Sequence, residues 1–140
     1  MTQSNRPRRG SSAPHTELIE EIPPEPGSVP IVRQFVKDLA WSKDEDSDMR
    51  LSLLVSELVT NAVLHARTNF AVQVTLTATA IRVSVTDGSP ILPERRNYSF
   101  LHPTGRGLHL VDSLSDRWGV DLESTGKTVW FELDRLAGIA

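Results

Sequence analysis

Three polar side chains recur at four-residue intervals within an otherwise apolar run: Glu57, Asn61 and His65 in Leu53–Ala66. Apolar residues fill the other positions three and four apart (Leu51, Leu54, Val55, Leu58, Val59, Ala62, Val63 and Ala66), with no Gly or Pro. That pattern predicts a helix from about Ser47 to Ala66, on which the three polar groups stack along one face. Burying a carboxylate or amide without a partner costs about 1–7 kcal/mol. A stripe of this kind therefore calls for a bound ligand, a metal ion or neighbouring backbone. The alternative is that the stripe faces solvent at the helix edge, and both readings are open from this stretch alone.

Further along the chain, Val85-Thr86-Asp87-Gly88-Ser89-Pro90 ends an alternating segment, Gly105-Arg106-Gly107-Leu108 precedes a short apolar helix, and Gly126-Lys127-Thr128 precedes another alternating segment. The last of these resembles the end of a P-loop, which requires a glycine five positions earlier and a helix after the threonine. Position 121 is Asp121, and Val129-Trp130-Phe131-Glu132-Leu133 reads as a strand, so the P-loop fails on both counts. A dinucleotide fingerprint starting at Gly105 fails as well, because position 110 is Leu110.

The elements that position these groups follow from periodicity. Met1–Pro14 is rich in Ser, Arg, Gly and Pro and is expected to be a disordered tail. His15–Ile22 is expected to be an edge strand, and Pro23, Pro24, Pro26 and Gly27 form a break. Ser28 reads as the N-cap of a helix over Val29–Ala40, closed by Trp41. Asp44, Glu45, Asp46 and Asp48 then suit the positive end of the central helix better than a metal site. Phe70–Thr79 and Ile81–Val85 alternate as a hairpin, and Arg117–Leu122 and Thr128–Leu133 as a second, with Trp118, Val120 and Leu122 facing inward. A helix starts near Leu108. Between the hairpins, Ser89–Thr104 has no periodicity, and a loop of about 15 residues in a compact domain is often a lid. Three helices and paired hairpins indicate an α+β two-layer sandwich, a single domain over residues 15–140.

Composition sets limits. The chain has 140 residues, enough for a real core, and a net charge of −3, which argues against a nucleic-acid binder. There is no cysteine, hence no disulfide and no thiolate chemistry. No apolar run reaches the roughly 18 residues that span a membrane, and no secretory signal follows the N-terminal arginines, so a cytoplasmic protein is expected.

Taken in order, Glu57-Leu58-Val59-Thr60-Asn61-Ala62, Asp87-Gly88, the long loop, Gly105-Arg106-Gly107-Leu108 with Val111, and Asp116-Arg117-Trp118-Gly119 through Gly126–Leu133 resemble the GHKL superfamily of ATP-binding domains. Within it the chain is most similar to the small bacterial anti-sigma-factor serine/threonine kinases, over roughly Ser28–Leu133. The resemblance implies a Bergerat-type fold: a mixed, mostly antiparallel sheet packed on about three helices. It implies ATP and Mg²⁺ as cofactors, with Asn61 as the Mg²⁺ ligand and Glu57 as the base for an attacking hydroxyl or water. Asp87, beside Gly88, would accept from the adenine amino group; its plain alternative is a turn aspartate. Gly105, Arg106, Gly107 and Leu108 would meet the phosphates, and Thr128 would reach the base region through a water. His65 is expected to be a half-buried helix-end histidine, and Lys127 is either an exposed hairpin lysine or a ligand contact.

One departure stands out. Ser89 and Ile91 occupy the positions where the superfamily's first glycine box carries its two glycines. No phosphoacceptor-histidine helix pair and no second domain are expected. The implied activity is transfer of a phosphoryl group from ATP to Ser or Thr of a STAS-type anti-anti-sigma partner, with control of sigma-factor availability and homodimerisation. The alternative is a non-catalytic nucleotide-binding or protein-interaction module of the same fold.

Overall fold

The computed structural model describes residues 14–40, 44–66, 68–88 and 107–135. The expected tail, Trp41 and the lid segment lie outside these residues. Among the described residues five strands form one sheet: β1 (His15–Ile22), β2 (Phe70–Leu76), β3 (Ala80–Asp87), β4 (Arg117–Glu123) and β5 (Gly126–Asp134). Their order is β1-β2-β3-β5-β4, and every neighbouring pair is antiparallel, so the expected mixed sheet is in fact antiparallel throughout. β5, the last strand in sequence, lies between β3 and β4.

Side chains alternate across this sheet with the period of two that a strand dictates. Val72 and Val74 of β2, Ile81, Val83 and Val85 of β3, and Phe131 and Leu133 of β5 are buried on one face. Among the described residues that face is covered by three α-helices: α1 (Ser28–Leu39), α2 (Glu45–Asn61) and α3 (Gly107–Leu114). α1 contributes Val32 and Val36, one turn apart; α2 contributes Leu51, Leu54, Val55, Leu58 and Val59; α3 contributes Val111. α2 packs against both other helices and is the spine of the layer. Fully burying one such aliphatic side chain is worth about 1.5–3 kcal/mol, so this shared core dominates the stability of the domain.

Local signals explain most of the boundaries. Asp44 precedes α2 with extended backbone, and its carboxylate accepts from Ser47 Oγ at 2.6 Å. That bond holds the Asp44 carboxyl below its ordinary range. Glu45, Asp46 and Asp48 fill the first turn, as the helix dipole favours. A bulge interrupts β1 between Ile19 and Ile22, with Glu21 at φ 59°. Asn69 Nδ2 donates to Glu21 Oε1 there at 2.9 Å.

Three expectations are corrected. Gly27, not Ser28, holds the cap position of α1. The Pro-rich break folds back on the helix start, so Ser28 is buried and its hydroxyl donates to Pro23 O at 2.8 Å. The central α-helix stops at Asn61 and is followed by a π-helical turn, Ala62–Ala66. Leu122 does not face a packed interior: it is 54% exposed near the end of edge strand β4, whereas Trp118 packs on the core and Trp118 Nε1 donates to Asp112 of α3.

Candidate functional site

Asn61 stands where α2 gives way to the π turn. π turns interrupt helices rarely, and often at functional sites. Asn61 Oδ1 is buried and has no hydrogen-bond partner among the described residues. An orphaned buried acceptor costs about 1–3 kcal/mol, so it needs an explanation such as an ion or water. An amide oxygen is a hard ligand, and a small divalent cation that keeps water and phosphate oxygens needs only one or two protein ligands. Among the described residues no cluster of three or more His, Asp or Glu side chains could by itself hold a metal. Glu57 lies one turn earlier on the same helix; its Oε1 and His65 Nε2 are screened from solvent, and both side chains interact within the fold.

The strand side of the site is charged. Asp87 ends β3 on the face shared with Val83 and Val85 and is 6% exposed. Its register partner on β5 is Lys127. Lys127 Nζ lies 3.1 Å from Asp87 Oδ1 and 3.0 Å from Oδ2, with the lysine side chain only 12% exposed. Lys127 is therefore not an exposed hairpin lysine. Gly88 follows at the strand end, where its N–H donates to Thr68 Oγ1 at 3.2 Å.

Gly126 makes this arrangement possible. A Cβ at position 126 would sit 2.0 Å from the Asp87 carbonyl oxygen, so only glycine lets β5 begin against the end of β3. Thr128 is placed differently from the expectation. Alternation turns it to the opposite face from Lys127, where its hydroxyl meets that of Thr86 at 2.7 Å. It therefore does not share the Asp87 face.

Gly107 opens α3 and Leu108 follows within it; Gly105, Arg106 and the lid Ser89–Thr104 lie outside the described residues. The far end of α3 is tied to α2 by Arg50, whose Nη2 donates to Leu114 O at 2.9 Å. A guanidinium at the carbonyl end of a helix complements its dipole. α2 packs on β3, β5 and α3, and the π turn lies against β3, so one helix joins the elements that carry the remaining groups.

Sequence reasoning missed two features. The Asp87–Lys127 pair was legible from period two, since Lys127, Val129, Phe131 and Leu133 fall on one face. The tight approach of Gly126 to Asp87 carried no local signal, because those residues meet only when β5 docks.

Comparisons with known proteins bear on the family and the fold. A family model described as a histidine kinase-like ATPase domain matches residues 22–133. Among curated proteins none matches the chain. A solved structure, the RsbU and RsbW domains of Rv1364c from Mycobacterium tuberculosis, is similar in fold, with a TM-score of 0.63 at 18% identity. The match covers 90% of this chain and 34% of that one, so this chain spans about a third of its length.

Proposed function

We infer the function of this chain from its family: it belongs to the histidine kinase-like ATPase domain family, which implies ATP binding. Our reading is an ATP-dependent serine/threonine kinase that phosphorylates a STAS-type anti-anti-sigma protein and controls the availability of a sigma factor. The observation that carries it is the orphaned, buried Asn61 Oδ1 one turn after Glu57. A domain without a ligand gains nothing from an acceptor that costs it stability, and a module without catalysis has no need of the Glu57 carboxylate beside it.

In this reading Asn61 holds Mg²⁺ and Asp87 faces the adenine amino group. The backbone from Gly105 to Leu108, with Arg106, meets the phosphates at the start of α3, where unpaired N–H groups and the helix dipole favour anions. ATP supplies the γ-phosphoryl group. Glu57 accepts the proton of the attacking Ser or Thr hydroxyl at its carboxylate, the group that phosphoryl transfer needs beyond positioning and charge stabilisation. Thr128 has no part in base contact. The protein acts as a homodimer and works in the cytoplasm.

The experiment is single-turnover transfer from Mg²⁺-ATP to purified STAS-domain partners. Glu57→Ala should keep nucleotide affinity and lose transfer by about 100-fold or more, the usual contribution of a general base. Equal transfer in variant and parent removes Glu57 from that role. A second reading, a non-catalytic module, is favoured by Ser89 and Ile91 in the glycine box. It requires a parent protein that binds ATP and transfers nothing to any partner.

A further inference from the structure

Arg50 has no role in the reading above, yet it joins the two helices that carry most of the site. It stands on α2, the helix of Glu57 and Asn61. Its guanidinium reaches the last carbonyl of α3, with Nη2 at 2.9 Å and Nε at 3.3 Å from Leu114 O. That carbonyl is one of those that a helix end leaves without an intrahelical partner. Just beyond it, Asp116 Oδ2 lies 3.9 Å from Arg50 Nη2 and accepts from the Asp134 N–H at 2.7 Å, so the segment leaving α3 is fixed to β5 as well.

We propose that Arg50 is a positioning residue: by holding the end of α3, it sets where the start of that helix meets the phosphates of the nucleotide. This rests on the reading that the phosphates lie at that start, and not on the transfer step. α3 has eight residues, and among its described side chains Val111 alone is fully buried. At 1.5 Å per residue, Val111 lies about 6 Å from Gly107 and about 4.5 Å from Leu114. A short helix anchored in its middle tilts about that anchor as a lever. A shift of about 1 Å at Leu114 then moves Gly107 by about 1.3 Å the other way. Backbone hydrogen bonds span only about 2.7–3.2 Å, so a displacement of that size breaks a phosphate contact.

The other side-chain tie has little leverage. Trp118 Nε1 of β4 donates to Asp112, one residue from the anchor. Leu114 itself packs on the core only in part. Arg50 acts at the end of the lever. It also stands seven residues before Glu57, two turns along one face of the same helix. The tie therefore refers the position of α3 to the rigid element that carries Glu57 and Asn61.

The test is calorimetric titration of the full chain with Mg²⁺-ATP and with adenosine, for the parent, Arg50→Met and Arg50→Lys. Adenosine carries the base that Asp87 faces and has no phosphate to meet α3. Arg50→Met keeps the stem and loses the donor. It should weaken Mg²⁺-ATP by at least about tenfold, the worth of one hydrogen bond to a charged group, and leave adenosine unchanged. Arg50→Lys keeps a cationic donor, and a single acceptor oxygen needs no fork, so it should stay within about threefold of the parent. A smaller loss of Mg²⁺-ATP in Arg50→Met overturns the inference and leaves the phosphate placement standing. Equal losses of Mg²⁺-ATP and adenosine reveal a general loosening of the fold and overturn it too. So does Arg50→Lys as weak as Arg50→Met. A folded parent that binds Mg²⁺-ATP no more tightly than adenosine, or binds neither, overturns the placement of the phosphates and the inference with it; that result needs no variant. The Arg50 side chain is 41% exposed, so neither substitution leaves a cavity in the core.

Discussion

Replacing Asn61 with leucine should make the protein more stable while removing its response to Mg²⁺-nucleotide. Asn61 Oδ1 is buried with no hydrogen-bond partner among the described residues, in a helix whose neighbours Leu58, Val59 and Ala62 are core. Deleting a buried, unsatisfied acceptor recovers about 1–3 kcal/mol, and leucine has nearly the same length as asparagine. Leucine is also the better helix former by a few tenths of a kcal/mol. The side chain is only half-buried and its amide nitrogen is deleted too, so a net gain of about 1–2 kcal/mol is expected. For a domain of this size that is a rise in Tm of about 3–8 °C. Urea unfolding, with m unchanged, gives the gain directly. The functional half is read in the same melts. The parent at 100 times its Kd of Mg²⁺-ATP gains about 2.7 kcal/mol, and Asn61→Leu should gain almost none. A variant less stable than the parent would show that the amide is not orphaned in solution. A variant still stabilised by Mg²⁺-ATP as strongly as the parent would remove Asn61 from the cation.

Two more perturbations test the scaffold. Gly126→Ala places a Cβ 2.0 Å from the Asp87 carbonyl oxygen, so β5 must retreat and lose the neighbouring ladder bonds. About 2–4 kcal/mol of destabilisation is expected in urea, at about 1 kcal/mol per lost bond plus the disturbed ion pair, whereas Gly27→Ala, with nothing within 4 Å, should be near neutral; equal effects would refute the close approach. On the outer face of the sheet, Glu132 bonds Arg117 Nε at 2.6 Å and Arg82 Nη1 at 2.9 Å, and these guanidiniums, Arg117 foremost, hold its carboxyl below the ordinary value of 4.5. A lowered pKa stabilises the fold above that ordinary value, and the contribution disappears as pH falls through the folded-state value. Thermal melts from pH 7 to pH 3 should therefore show Arg117→Ala below the parent at neutral pH and converging with it in acid, and a gap independent of pH would contradict the pairing.

Period two made much of this fold legible. Val72 and Val74 against Gln73, and Val83 and Val85 against Ser84, announce a half-buried hairpin by their alternation alone. Glu57 and Asn61 declared themselves as polar residues in an apolar helix. What escaped was not local. Ala62–Ala66 continues an apolar pattern without Gly or Pro, so nothing in it distinguishes a π turn from one more α turn. Thr128 looked like a site residue because its motif was read as a string; counted in twos from Phe131 it faces away, and Lys127 faces in. Ser28 has the right side chain for a cap, but its hydroxyl found the Pro23 carbonyl when the Pro-rich break folded back. The insertion of β5 between β3 and β4 depends on contacts spanning some 40 residues, which no window along the chain contains.

That insertion has a consequence for the order in which the protein acquires its site. During synthesis β3 emerges complete while the strand that will flank it is still unmade. The edge of β3 that β5 will cover stays open until nearly all of the described fold exists. Loop-closure entropy must be met before such a distant pairing gives anything back, so docking of β5 is expected late in folding. Asp87 receives Lys127 only at that step. The charged end of the site is thus a product of the finished fold rather than of any subdomain, and it should persist or vanish together with the sheet.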